Sequence, residues 1–238
     1  MSPSLSLRPT EPPGTLEELL ARSHRLAGLT LGQLANALEE PFPEDLGRHK
    51  GYVGKLLEIA LGTTASTRPL PDFEALGVEL KTLPVDRSGR PRESTFVCTA
   101  SLTHLADETW ATSKVRQKLA RVLYVLIESE PSLQAKDRRV GVAVFAPLDE
   151  QEERVLRADW EDLAALIADG LADAISARRG VALQVRPKAA NARVRRRAHD
   201  GEGELFATLP RGFYLRRSFT EAAIHKRLLA LTSPPMAR

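Results

Sequence analysis

Cys98 is the only cysteine among 238 residues. No intrachain disulfide can form, and no cysteine zinc cluster is possible. Cys98 lies in the apolar run TFVCTA, which reads as a buried strand without the activating neighbours that a catalytic thiol needs. The five histidines, His24, His49, His104, His199 and His225, show no HxH, HExxH or HNH-type spacing. That argues against zinc hydrolysis and histidine-metal nuclease chemistry. No Gly-rich loop ends in Lys-Ser or Lys-Thr, so ATP hydrolysis by the chain itself is not expected. No apolar run reaches the roughly 18 residues of a membrane span, and the opening stretch lacks the apolar core of a signal peptide. A cytoplasmic protein without membrane contact is expected. Internal repeats are absent.

Net charge is only +3, so the chain is no globally basic nucleic-acid coat. Its distribution is more telling. Arg178 to His199 holds eight Arg or Lys and no acid, whereas Asp149 to Asp162 holds seven acids. One basic and one acidic face suit a protein that binds DNA on one side. Hydrophobic content of 42% supports a real core.

Helices are expected at Thr15 to Ala27, with Thr15 as N-cap and Glu18 completing a capping box, and at Thr30 to Glu40. A third should run from Lys50 to Leu61, closed by Gly62. Strands at Val78–Val85 and Ser94–Ala100 read as a hairpin around Ser88 and Gly89. A basic helix at Ser113–Ala120 should lead to strands at Val122–Glu128 and Val140–Phe145. An acidic helix should follow at Asp149–Ile167, buried through Val155, Trp160, Leu163 and Leu166. Strands at Ala182–Arg186, Leu205–Leu209 and Phe213–Leu215 precede a helix at Thr220–Leu231. The mixture predicts an α/β or α+β core.

The stretch PDFEALGVELK, from Pro71 to Lys81, carries the chemistry. Alternation along a strand puts Glu79 and Lys81 on one face and sends Val78 and Leu80 into a core. Asp72, in the turn before the strand, can return to the face of Glu79. Two carboxylates and a lysine then converge, the set that metal-assisted phosphodiester cleavage needs. Hard oxygen ligands hold Mg²⁺, and an ammonium orients the attacking water or stabilises developing charge. Taken alone, the same pattern also fits a solvated strand face of alternating charge.

Longer blocks decide between these readings. They are KGYVGKLLEIALG at Lys50, DFEALGVELKTLPVD at Asp72, STFVCTASLT at Ser94, RVLYVLIE at Arg121, LQVRPKAANAR at Leu183 and TLPRGFYLRRSFT at Thr208. In these blocks, and in their order, the chain resembles the MutH family of mismatch-repair endonucleases, members of the restriction-endonuclease-like PD-(D/E)xK superfamily. RPKAANA and LPRGFYL are far more specific than the carboxylate motif.

The resemblance implies a restriction-endonuclease-like α/β fold: a mixed β-sheet core flanked by helices, in two lobes around a DNA cleft. It implies one endonuclease domain over residues 15–231, with a catalytic lobe including roughly 50–130 and DNA-reading elements at roughly 180–218. Residues 1–14 read as a flexible lead and 232–238 as a flexible tail. Asp72 and Glu79 would hold Mg²⁺ and Lys81 would orient or activate water. Glu58, by pattern a solvated helix residue, would add a carboxylate near the metals. Lys118, by pattern a surface or phosphate-contacting lysine, would be a second active-site lysine.

Lys50, Arg186, Pro187, Lys188, Arg211 and Tyr214 would contact DNA. Arg can pair bidentately with guanine, and Lys supplies charge to phosphate; a loop touching phosphates alone is the plainer reading of RPKAANAR. Tyr214 alternates away from Phe213 and Leu215, and with Arg186 it would exclude an N6-methyl group on the target adenine. The run Arg195–Arg197 matches no family pattern and reads as a flexible, phosphate-contacting loop. The implied activity is Mg²⁺-dependent nicking of the unmethylated strand at hemimethylated GATC sites in methyl-directed mismatch repair. The implied enzyme is a monomer acting on double-stranded DNA with MutL, and indirectly with MutS. A stand-alone restriction endonuclease and a non-catalytic DNA-binding module on the same scaffold are the alternatives.

Overall fold

The computed structural model describes residues 7–63, 70–188, 194–199 and 204–232. The chain divides into two compact units. One comprises Met1–Arg92, Arg121–Ala146 and Ile224–Arg238, the other Glu93–Ala120 and Pro147–Ala223.

In the first unit, α1 (Leu16–Leu26), α2 (Leu31–Ala37) and α3 (Tyr52–Leu61) accompany a sheet of β1 (Glu79–Val85), β3 (Arg121–Glu128) and β4 (Val140–Pro147), in the order β1-β3-β4. Thr15 caps α1, and Thr30 with Gln33 forms a capping box on α2. The expected box on α1 does not close at Thr15: Glu18 reaches one residue further back, to the backbone N–H of Gly14 at 2.8 Å. Leu19, Leu26, Leu31, Leu34, Leu56 and Leu57 pack with Val78, Leu80, Leu123 and Val125 into one core. Each leucine so buried contributes roughly 1.5–3 kcal/mol. Gly62, at φ +74, ends α3 and receives no added Cβ without collision with Arg22 Nη1 and Pro9.

The second unit holds β2 (Thr95–Thr99), β5 (Leu183–Pro187) and β8 (Arg211–Leu215), with β8 central and antiparallel to both neighbours. A separate antiparallel pair joins β6 (Arg196–His199) to β7 (Leu205–Thr208). Helix α4 (Lys114–Leu119) is capped by Ser113, and α5 (Glu150–Ala168) starts from a capping box between Asp149 and Glu152. The acids in the first turn of α5 complement its dipole. Helix α6 covers Arg217–Thr232, starting ahead of the expected Thr220.

Three further expectations are corrected. β1 and β2 form no hairpin. A tight turn does begin there, with Asp86 N–H bonded to Arg90 O at 3.0 Å and a bridge from Val85 to Pro91. It stops at once: β1 pairs with β3 in parallel and β2 pairs with β8. Pro84 and Pro91 offer no N–H to prolong a ladder, and a parallel partner requires a long crossover, here residues 86–120. Arg196 and Arg197, read as part of a flexible loop, lie in β6 opposite Thr208 and Ala207. On α5 the buried stripe is Leu156, Asp159, Trp160, Leu163, Ala164 and Ile167, so Val155 and Leu166 are only partly covered. The stripe includes an acid that periodicity of apolar residues could not reveal.

Candidate active site

The turn before β1 is closed by Phe73 and Val78, which exchange backbone hydrogen bonds of 2.9 and 3.3 Å. Gly77 makes the reversal at φ +61, a left-handed conformation that glycine adopts readily. Asp72 stands at its entry. Its Oδ2 accepts the N–H of Leu80 at 2.8 Å, which fixes the carboxylate beside the strand. From the start of β3, Arg121 Nη1 donates to Leu76 O at 2.7 Å while its guanidinium stacks on Phe145, 5.4 Å from the ring centroid. No local pattern signals this clamp, because Arg121 reads with Lys114, Arg116 and Lys118 as part of a basic helix.

Glu79 and Lys81 share a face of β1, as alternation requires. Lys81 Nζ donates to Glu79 Oε1 at 2.8 Å, and Glu79 is only 4% exposed. Glu58 lies on α3, half-buried, one turn before Gly62. Burial first, then the charges of Asp72 and Glu79, raise its carboxyl above the ordinary carboxylate range. The three carboxylates therefore feel one another's field. Among the described residues, no three His, Cys, Asp or Glu side chains already form a closed metal-binding group. The donor chemistry nevertheless fits a hard divalent cation: the donors are carboxylate oxygens, and burial with the charges of Asp72 and Glu79 disfavours the ionised form of Glu58 in the absence of one. Lys50 is exposed, directly before the N-cap Gly51 of α3.

Lys118 belongs to the second unit, half-buried on α4. Of the other expected DNA contacts in that unit, Arg186 and Pro187 end β5, with Lys188 next and Arg211 opposite Pro187, while Tyr214 stands further along β8, opposite Gln184. Arg186 and Lys188 are exposed, as is Pro187 between them. Arg186 Nη1 donates to Ser94 Oγ at 2.8 Å, and its guanidinium lies 5.5 Å from the Tyr214 ring centroid. Tyr214 packs edge-on against Phe96 at 5.3 Å, and Lys188 Nζ sits 3.3 Å from the Phe96 centroid. Two cations thus flank a contacting pair of aromatics, an arrangement stabilised by cation–π attraction. Phe213 and Leu215 are 1% exposed, while Tyr214 is half-buried on the opposite face, as alternation predicts. Burial raises the Tyr214 phenol, against the opposing pull of Arg186, so it remains a neutral donor. Arg211 is 6% exposed, and its guanidinium is bound to Asp173. Of the RPKAANAR motif, residues 189–193 lie outside the described residues.

The strand bearing Arg186 is set by groups that the sequence did not single out. Asp159 on α5 accepts the N–H groups of Val181, Ala182 and Leu183 at 2.6–2.9 Å, which explains a buried acid on an apolar stripe. Gly180 makes the approach possible at φ +86, where a Cβ would run into the Leu183 carbonyl.

Comparison with known proteins bears on this geometry. Residues 61–159 match the family model described as DNA mismatch repair enzyme MutH. The DNA mismatch repair protein MutH of Escherichia coli (strain K12) is 50% identical over 218 residues, covering 92% of this chain and 95% of that protein. The proteins of the same description from Escherichia coli O9:H4 (strain HS) and Shigella boydii serotype 18 (strain CDC 3083-94 / BS512) match with the same identity and coverage. The chain belongs to the MutH family. It is a MutH-family endonuclease with a role in DNA mismatch repair, and DNA is its partner. The mixed α/β architecture agrees with the restriction-endonuclease-like fold expected of MutH proteins. No helix among the described residues is long and apolar enough to cross a membrane.

Proposed function

We propose that this MutH-family enzyme nicks the unmethylated strand at hemimethylated GATC sites, with Mg²⁺ as cofactor, in methyl-directed mismatch repair. The observation that carries the reading is the coupled set Glu58, Asp72 and Glu79 with Lys81 paired to Glu79. Asp72 and Glu79 hold the cation, with Glu58 as a further oxygen donor. Mg²⁺, when bound, would neutralise phosphate charge and acidify a water. Lys81 orients the attacking water and offsets charge developing on the scissile phosphate. Lys118 contributes a second ammonium to the reacting phosphate.

Arg186 and Tyr214 read the target adenine and leave no room for an N6-methyl group. Pro187 ends the strand, so that Lys188, like Lys50, meets phosphate. Arg211 acts from beneath this edge. Residues 15–231 work as one endonuclease domain of a cytoplasmic monomer, stimulated by MutL that mismatch-bound MutS recruits. A plasmid-nicking assay with Mg²⁺, with and without cognate MutL, tests the proposal. Nicks confined to the unmethylated strand of hemimethylated GATC and dependent on Mg²⁺ are expected. Cutting of both strands at once, or at unrelated sites, would refute it.

A further inference from the structure

Asp173 lies on the short turn after α5, with its side chain 58% exposed. One of its oxygens, Oδ1, accepts from Thr208 Oγ1 at 2.7 Å and from Arg211 Nη2. Thr208 ends β7 and Arg211 begins β8, with only Leu209 and Pro210 between them. A single carboxylate therefore ties both ends of the β7–β8 turn. The carbonyl of Pro210, at the turn, accepts the N–H of Lys188 at 2.7 Å. In the β5–β8 register Arg211 stands opposite Pro187, which has no N–H to give, so the Lys188–Pro210 bond secures the end of β5. The buried Nε of Arg211 has no hydrogen-bond partner, leaving Asp173 as the anchor of its guanidinium.

We infer that Asp173 is a positioning residue for sequence recognition: through the β7–β8 turn it sets the end of β5 and hence the aim of Arg186 and Lys188. The inference rests on the proposed role of that strand end in reading DNA. Asp173 touches neither residue and lies outside the buried core, so its replacement opens no cavity. The Thr208 hydroxyl and Arg211, with Arg195 farther away, hold its carboxyl below the usual carboxylate range. It is therefore an ionised anchor at neutral pH. A charged group that served only to temper the basic stretch would affect all DNA alike, whereas a positioning group affects discrimination.

The test compares full-length wild type with Asp173→Ala, Asp173→Asn, Thr208→Val and Arg186→Ala. Affinities are measured for a GATC duplex and for duplexes with one base pair of the site altered, across a salt series. Backbone exchange at Lys188 is followed in the free proteins. Asp173→Ala should lose about tenfold or more of its preference for the intact site, approaching Arg186→Ala, with little change in salt slope. Its Lys188 amide should exchange about tenfold faster or more. Thr208→Val should shift both readouts the same way, by less. Asp173→Asn and Thr208→Val carry the measurement should the alanine variant not fold. Equal weakening on every duplex would show a merely structural role and overturn the inference. Equal tightening with a steeper salt slope would show a charge brake and overturn it as well. Preference lost in Arg186→Ala but kept in the Asp173 variants sinks this inference alone. Preference kept in Arg186→Ala removes the strand-reading role, and the inference falls with it.

Discussion

Lys81 Nζ stands 2.8 Å from Glu79 Oε1, and the two side chains are 14% and 6% exposed. An ion pair so withdrawn from water is weak evidence of stability, because desolvation offsets much of its attraction. In the proposed mechanism the same pair, in the field of Asp72 and Glu58, supplies charge to the reaction. Removal of one partner leaves the other buried and uncompensated, so alanine variants here need a stability control beside any activity measurement.

Asp72→Ala and Glu79→Ala should each lower Mg²⁺-dependent nicking by roughly a thousandfold or more, about 4 kcal/mol of barrier. DNA binding in Ca²⁺ should be largely retained. Turnover near that of the wild type in either variant would remove that residue from the metal site. Asp72→Ala also deprives the Leu80 N–H of its acceptor, so its thermal midpoint should fall somewhat as well.

Glu58 provides a pH test. Its folded-state pKa is raised, by burial first and then by Asp72 and Glu79. A raised carboxyl favours the folded state when protonated. That contribution is fully present below the ordinary value of 4.5 and is lost as pH rises through the folded pKa. In EDTA, Glu58→Gln should therefore match wild type in acid and surpass it in thermal midpoint near neutral pH. Mg²⁺ should narrow this difference by stabilising wild type more than the variant. A midpoint difference that stays flat across the pH range would contradict the coupling.

Tyr214→Ala should narrow the gap in nicking rate between unmethylated and hemimethylated substrates, by up to roughly 1–3 kcal/mol. Overall activity should fall less than in Asp72→Ala. The comparison uses unmethylated, hemimethylated and fully methylated GATC duplexes. Unchanged rate ratios would leave Tyr214 as a packing partner of Phe96.

Neutralising Arg195, Arg196 and Arg197 together should weaken binding to all sequences and reduce the salt slope by up to about three units. Because Arg195 already feels the charge of Asp173, it should contribute the smallest share. A change in sequence preference at constant slope would indicate base contact by β6.

Asp159→Ala should destabilise the second unit by roughly 3 kcal/mol or more, since three backbone N–H groups lose their acceptor. Urea unfolding would measure this. A loss below about 1 kcal/mol would mean that water replaces the carboxylate there.

Much of the candidate site was legible because it is local. Alternation alone places Glu79 beside Lys81 and sends Val78 and Leu80 inward, and the Pro71–Lys81 spacing lets Asp72 return to the same strand. Periodicity and capping residues located the helices for the same reason: they depend on neighbours three or four positions away. Partnership between distant strands was not legible. The Ser88–Gly89 turn suggested a hairpin, yet β1 takes β3 and β2 takes β8, because pairing is decided by which apolar faces bury together. Nor could local pattern show that an acid on α5 would seat the strand entering Arg186, or that Arg121 would clamp the Asp72 turn. Those contacts join residues far apart in the chain. Residue order alone makes plain the chemical inventory and the local faces on which it stands. The tertiary structure decided which polar groups would satisfy one another, since only the folded chain brings a carboxylate to the particular backbone N–H groups that burial leaves without water.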